Sequence, residues 1–150
     1  MINSDYFQKP IRAIKYIFYK DVSVSEQCYL NQLLNEKLVL LFWRLNKEDR
    51  AHSLEVLNRM KKITNDKEMY ELALLHDIGK VYSDIGWLGR IFADLGINKS
   101  NNAKMYKNHE KLGIGLLKNG MEEVEINRVL ENYINNLIDK RHELIERCDY

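Results

Sequence analysis

Apolar residues along this chain recur three and four positions apart, and nowhere alternate long enough to argue for a sheet. The pattern predicts helices throughout. Ile11, Ile14, Ile17 and Phe18, behind Pro10, predict a first amphipathic helix docked on the surface, with Arg12, Lys15 and Lys20 off the stripe. Ser23 or Ser25 can cap a second helix carrying Tyr29, Leu30, Leu33 and Leu34. Leu38 to Trp43 form a dense apolar block suited to a core helix. Asn46, with Asp49 three residues later, opens a helix to about Lys62 whose apolar face holds Ala51, Leu54, Val56, Leu57 and Met60, and which carries His52.

The densest stretch is YELALLHDIGK, Tyr70 to Lys80. Tyr70, Leu72, Ala73, Leu74 and Leu75 leave a helix there with little polar face, so it belongs deep in a core. Gly79 is expected to stop that helix in the left-handed conformation, which puts His76 and Asp77 side by side in its last turn. A buried carboxylate needs a partner, or it neutralises. A divalent cation suits a neutral imidazole and a carboxylate together. Further on, Gly86 and Gly89 around Trp87 and Leu88 predict a turn. A short helix through Ile91, Phe92 and Leu95 stops at Gly96, and Asn98 to Asn102 reads as a loop. Helices are expected over about Tyr106–Lys118, ending at Gly120, then Glu122–Tyr133, then Asn136 to the end.

Composition narrows the class without deciding it. The 150 residues suit one domain, and a single proline suits a helix-rich one. The net charge of +1 writes no strong nucleic-acid signal into the chain. Cys28 and Cys148 lack metal-type spacing and read as reduced thiols of a cytoplasmic protein. No apolar run approaches the roughly 18 residues of a membrane span, and the start lacks the marks of a signal peptide, so no membrane partner is expected. Trp43 and Trp87 read as core residues. Arg44, Asp49 and Arg50 read as capping and surface charges, and His142 as a solvated histidine. The fold class is all-α.

The order His, then His-Asp, then a late Asp resembles the HD-domain superfamily of metal-dependent phosphohydrolases. The resemblance rests on RAHSLEVLNRM around His52, ALLHDIGK around His76 and Asp77, and LIERCDY around Asp149. LFWRLNKEDRAHSLEV and NHEKLGIGLLKNGM are similar to small stand-alone bacterial HD proteins. The resemblance covers roughly residues 25–150, so residues 1–24 become an N-terminal helical extension packed on an HD domain of 25–150.

It implies an HD-like bundle of about seven to eight helices, with His52, His76, Asp77 and Asp149 as metal ligands from three of them. The implied cofactor is one divalent ion per chain: Fe, Mn, Ni, Co or Zn, with Mg also allowed. No residue is assigned to an organic cofactor. Lys80 matches a lysine that approaches a phosphate. His109 matches the first of two downstream histidines that bind a second metal or the phosphate in some members. The second histidine is missing, and Glu131, Asn132 and Tyr133 stand near its expected place. A mononuclear site is therefore expected, with Glu131 or Tyr133 as the candidate replacement.

The implied chemistry is hydrolysis of a phosphomonoester or phosphodiester of a small molecule, expected to be a nucleotide, by metal-activated water. Asp77, Lys80 and His109 are the expected catalytic residues. The alternative is an HD fold that binds a nucleotide or regulates without turnover.

Overall fold

The computed structural model describes residues 20–120, 127–135 and 140–149. Its helices are α1 (Val24–Leu33), α2 (Glu36–Trp43), α3 (Lys47–Met60), α4 (Lys67–Leu75), α5 (Trp87–Asp94), α6 (Asn101–Lys107), α7 (His109–Gly120), α8 (Arg128–Ile134) and α9 (Lys140–Cys148). A 3-10 segment, Ile78–Tyr82, joins α4 to the turn before α5. Among the described residues there is no strand, and the fold is the all-α bundle expected. The helix expected behind Pro10 lies outside the described residues, as does the side chain of His142.

Short polar side chains start these helices. Ser23 accepts the Glu26 N–H while the Glu26 carboxylate accepts the Ser23 N–H at 2.7 Å, a reciprocal cap for α1. Asn46 opens α3 by accepting the Asp49 N–H at 2.8 Å, and Asp66 opens α4 by accepting the Glu68 N–H at 3.0 Å. Asn35, Ser100 and Asn127 do the same for α2, α6 and α8.

α3 and α4 form the centre. Val56, Leu57 and Met60 of α3 pack with Met69, Leu72, Leu74 and Leu75 of α4, and none is more than 1% exposed. Each such side chain contributes roughly 1.5–3 kcal/mol by leaving water. Leu30 and Phe42 close the core from α1 and α2. Trp43 is half-buried, with its neighbour Phe42 meeting it edge to face.

Four local readings need correction. First, α4 ends at Leu75 and His76 caps it, so His76 and Asp77 lie just beyond the last turn. Second, Gly79 has no left-handed backbone. Among the described glycines only Gly96 does, at φ +75°. Gly79 is required for a different reason: a Cβ there would lie 1.7 Å from the His109 carbonyl oxygen and 2.5 Å from the Gly113 nitrogen. The 3-10 segment and α7 thus touch backbone to backbone. Third, the helix expected over Tyr106–Lys118 is broken at Asn108 into α6 and α7, with α6 already starting at Asn101. Fourth, Asp49 is no surface charge. It is fully buried and accepts both terminal nitrogens of Arg90, at 2.6 and 2.7 Å.

Candidate metal centre

His52 sits on the core side of α3, 5% exposed. His76 follows α4, where its N–H still bonds the Leu72 carbonyl at 2.9 Å. Its ring Nδ1 is 3.0 Å from the Ala73 carbonyl oxygen. A carbonyl only accepts, so Nδ1 carries the proton and Nε2 holds a bare lone pair. That Nε2 is buried and has no hydrogen-bond partner. Burial pushes the His76 pKa down despite the pull of Asp77 and Asp149, so the ring is neutral. An orphaned, buried imidazole lone pair is what a metal ligand looks like before its ion is drawn in.

Asp149 arrives from the other end of the chain. The Arg59 guanidinium of α3 donates to the Cys148 carbonyl at 2.8 Å, and the Asp149 N–H bonds Ile145 at 2.9 Å. These bonds hold the end of α9 against α3. Asp149 Oδ1 then lies 2.8 Å from His52 Nε2. Burial alone would raise the Asp149 pKa, but His52 and His76 beside it hold the carboxyl well below the usual range. One ligand atom each from His52, His76 and Asp149 lies within 4.8 Å of the others. Two imidazoles and a carboxylate are the donor types that bind such ions. The donors fit a divalent ion.

Asp77 stands beside this trio. Its Oδ2 is 3.5 Å from His76 Nε2 and 3.8 Å from His52 Nε2, and it also takes the Lys80 ammonium. Its Oδ1 accepts from His109 Nε2 at 3.0 Å. Burial opposes ionisation of Asp77, but Lys80 and the histidines around it outweigh burial and hold its pKa well below the ordinary value. His109 is oriented from behind: Nδ1 donates to the Tyr106 carbonyl at 2.7 Å, and the Tyr106 ring stacks on it at 5.9 Å. With acceptors at both nitrogens the ring is drawn toward its protonated form. Burial works against this, but Asp77 prevails and the His109 pKa is raised.

All six residues expected from the sequence, His52, His76, Asp77, Lys80, His109 and Asp149, therefore converge. Glu131 does not join them and is exposed on α8. Two residues on, Tyr133 turns inward, and its hydroxyl donates to the His76 carbonyl at 3.1 Å. Tyr133, His76, Asp77, His109 and Asp149 line a cavity of about 300 Å3, with Leu72, Ile114 and Ile145 as apolar wall. Glu110 and Glu146 complete its lining.

Sequence reasoning missed several supports. Arg90 gives no signal, being one arginine in an amphipathic stretch. Gly113, in the middle of α7, did give one: a glycine inside a helix marks a close approach, here to the Gly79 nitrogen at 3.0 Å from its would-be Cβ.

Fold and site together define an all-α domain with imidazole and carboxylate donors gathered at its centre. A family model described as the HD domain matches residues 50–148, about two-thirds of the chain. The chain belongs to the HD-domain family, which binds divalent metals and is typical of metal-dependent phosphohydrolases. Asp149 lies one residue past the matched range. No curated protein and no solved structure matches the chain. Among the described residues, no helix is long and apolar enough to cross a membrane.

Proposed function

We propose that this chain is a metal-dependent phosphohydrolase cleaving a phosphomonoester or phosphodiester bond of a small molecule, with its catalytic domain over residues 25–150 and a nucleotide as its expected substrate. The observation that carries this reading is the buried, unpartnered Nε2 of His76, with ligand atoms of His52 and Asp149 within 4.8 Å of it and His76 and Asp149 both lining the cavity. His52, His76 and Asp149 would hold one ion, with the Asp77 carboxylate beside them as a further donor. A bound divalent ion supplies Lewis acidity toward a phosphoryl oxygen and brings water into reach of neutral pH.

The remaining work belongs to the side chains. Lys80 and protonated His109 draw the phosphoryl group toward Asp77. Asp77 orients the attacking water and takes the proton that leaves it as the new P–O bond forms. His109 carries a proton at Nε2 and passes it to the leaving oxygen as the P–O bond breaks. Tyr133 fixes the backbone of His76 and thereby the aim of the ring.

The test is reconstitution of the metal-free chain with Fe, Mn, Ni, Co or Zn, followed by phosphate release from phosphomonoesters, phosphodiesters and cyclic dinucleotides. Turnover that needs metal and disappears in Asp77→Ala is the expected result. No turnover with any metal favours the second reading, a binding module, which draws support from Tyr133 standing where a second histidine is expected.

A further inference from the structure

We infer that Arg59 is a positioning residue for the metal site: by bonding the Cys148 carbonyl it sets Asp149 against His52 and His76, and so governs how tightly the chain holds its ion. This rests on the reading of Asp149 as a metal ligand. The three metal-type donors are not equally secured. The side chains of His52 and His76 are 7% and 8% exposed, and they stand on α3 and at the end of α4, the centre of the core. The Asp149 side chain is 34% exposed and follows α9, a helix of nine residues. Helices shorter than about 12 residues are marginal on their own in water and depend on what they pack against. Among the described side chains of α9, only Ile145 and Cys148 are buried.

Arg59 adds a polar hold to that thin apolar one. The last carbonyls of a helix lack intrahelical partners. The Cys148 carbonyl is one of these in α9, and Arg59 Nη1 donates to it at 2.8 Å. A guanidinium also suits the negative end of the helix. Arg59 lies seven residues after His52, so both side chains project from one face of α3. His52 meets the Asp149 side chain at 2.8 Å, and Arg59 meets the backbone of the residue before it. Two successive residues are thus gripped from a helix whose Val56, Leu57 and Met60 are locked in the core. Glu55, one turn back on α3, accepts from Arg59 Nη2 at 3.2 Å and steadies the guanidinium. The bond from the Asp149 N–H to the Ile145 carbonyl is internal to the end of α9 and does nothing to dock it.

The experiment titrates the full chain with Mn2+ and with Zn2+ by calorimetry, for the parent, Arg59→Met, Arg59→Lys and Arg147→Met. Methionine keeps an apolar stem and the helix propensity but donates no bond. A group that orients a metal ligand from behind is worth about 10–100-fold in affinity, and a weakening of that size is expected in Arg59→Met. Arg59→Lys returns one donor and is expected to recover part of the loss, which a mere change of packing would not do. Arg147→Met removes an exposed charge from the last turn of α9 and leaves the affinity unchanged. Hydrogen exchange of the α9 amides, read in the metal-free chain, quickens in Arg59→Met. Parent-like affinity in Arg59→Met overturns the inference, as does α9 exchange that stays at the parent rate. Should Arg59→Met not fold, parent-like affinity and exchange in Arg59→Lys overturn it, and an intermediate loss in both sustains it. A parent that takes up neither ion overturns the metal reading and the inference with it. Arg59-dependent binding without turnover of any ester sustains the inference and overturns the hydrolytic reading instead.

Discussion

Two pairs of helices support the site, and different forces hold them. The α3–α4 layer carries His52 and His76 and is fastened by side chains that water never reaches, Val56, Leu57, Met60, Leu72, Leu74 and Leu75 among them. The α5–α6 layer carries no site residue but supports His109 through Tyr106. Among its described side chains it buries Ala93, Arg90 and Ala103, while Leu88 and Phe92 of α5 stay about half exposed. Its main fastening is the Arg90–Asp49 ion pair, with the Arg90 guanidinium also 5.4 Å from the Tyr106 ring centre. The two imidazole donors thus stand on the layer that cannot rearrange without unpacking a core. The proton-bearing His109 leans on the layer that one ion pair keeps in place.

The contact between the 3-10 segment that follows α4 and α7 is the most sensitive place to break this arrangement. Gly79→Ala would drive a methyl into the His109 carbonyl and the Gly113 nitrogen, both backbone atoms that cannot swing aside. A loss of at least about 3 kcal/mol is expected, read by urea denaturation. Gly115→Ala is the control. Outside its own helix nothing lies within 4 Å of that site, and an alanine in a helix gains about 0.5–1 kcal/mol.

Next in size is Arg90→Met, which leaves Asp49 buried and charged against no guanidinium. A loss of about 3–5 kcal/mol is expected, mostly recovered by adding Asp49→Leu. A single variant with unchanged stability would show that the α5–α6 layer is held by something other than the pair.

Metal sharpens the contrast from the other side. An ion at 100 times its Kd stabilises the folded chain by about 2.7 kcal/mol. For about 150 residues this raises Tm by about 5–10 °C, an increment that chelation removes and scanning calorimetry reads.

The smallest effect concerns Glu71 of α4. Burial raises its pKa, partly offset by the Asn127 amide donating to it at 2.5 Å. A carboxyl whose folded pKa lies above its unfolded value favours folding when protonated. Its contribution is fully present below the unfolded pKa and fades as pH rises through the folded one. Glu71→Gln is therefore expected to flatten the fall in stability as pH rises above the ordinary carboxylate range and to raise the denaturation midpoint slightly at neutral pH.

The same contrast explains what could be read in advance. The α3–α4 layer was legible because burial writes itself into composition: YELALL can only be a core helix, and the donors on it follow their spacing. Asp149 was placed by resemblance, and its position rests on Arg59 reaching the Cys148 carbonyl, a side chain-to-backbone bond 89 residues apart that no local pattern announces. The α5–α6 layer was not legible for a like reason. Arg90 and Asp49 are 41 residues apart, and each taken alone looks like a surface charge. Gly79 was singled out correctly for the wrong cause, since closeness to α7 is a property of the fold and not of the glycine's own neighbours. Tyr133 was visible only as the residue standing where a histidine was expected.

The most direct measurement is metal content per chain, by mass spectrometry of protein purified without chelator or metal resin, for the parent and for His52→Ala, His76→Ala and Asp149→Ala. About one divalent ion per parent chain, lost from each variant while the helical signal persists, is the expected result. A full complement of ion retained by all three variants, or none bound by the parent after incubation with every metal named above, would contradict it.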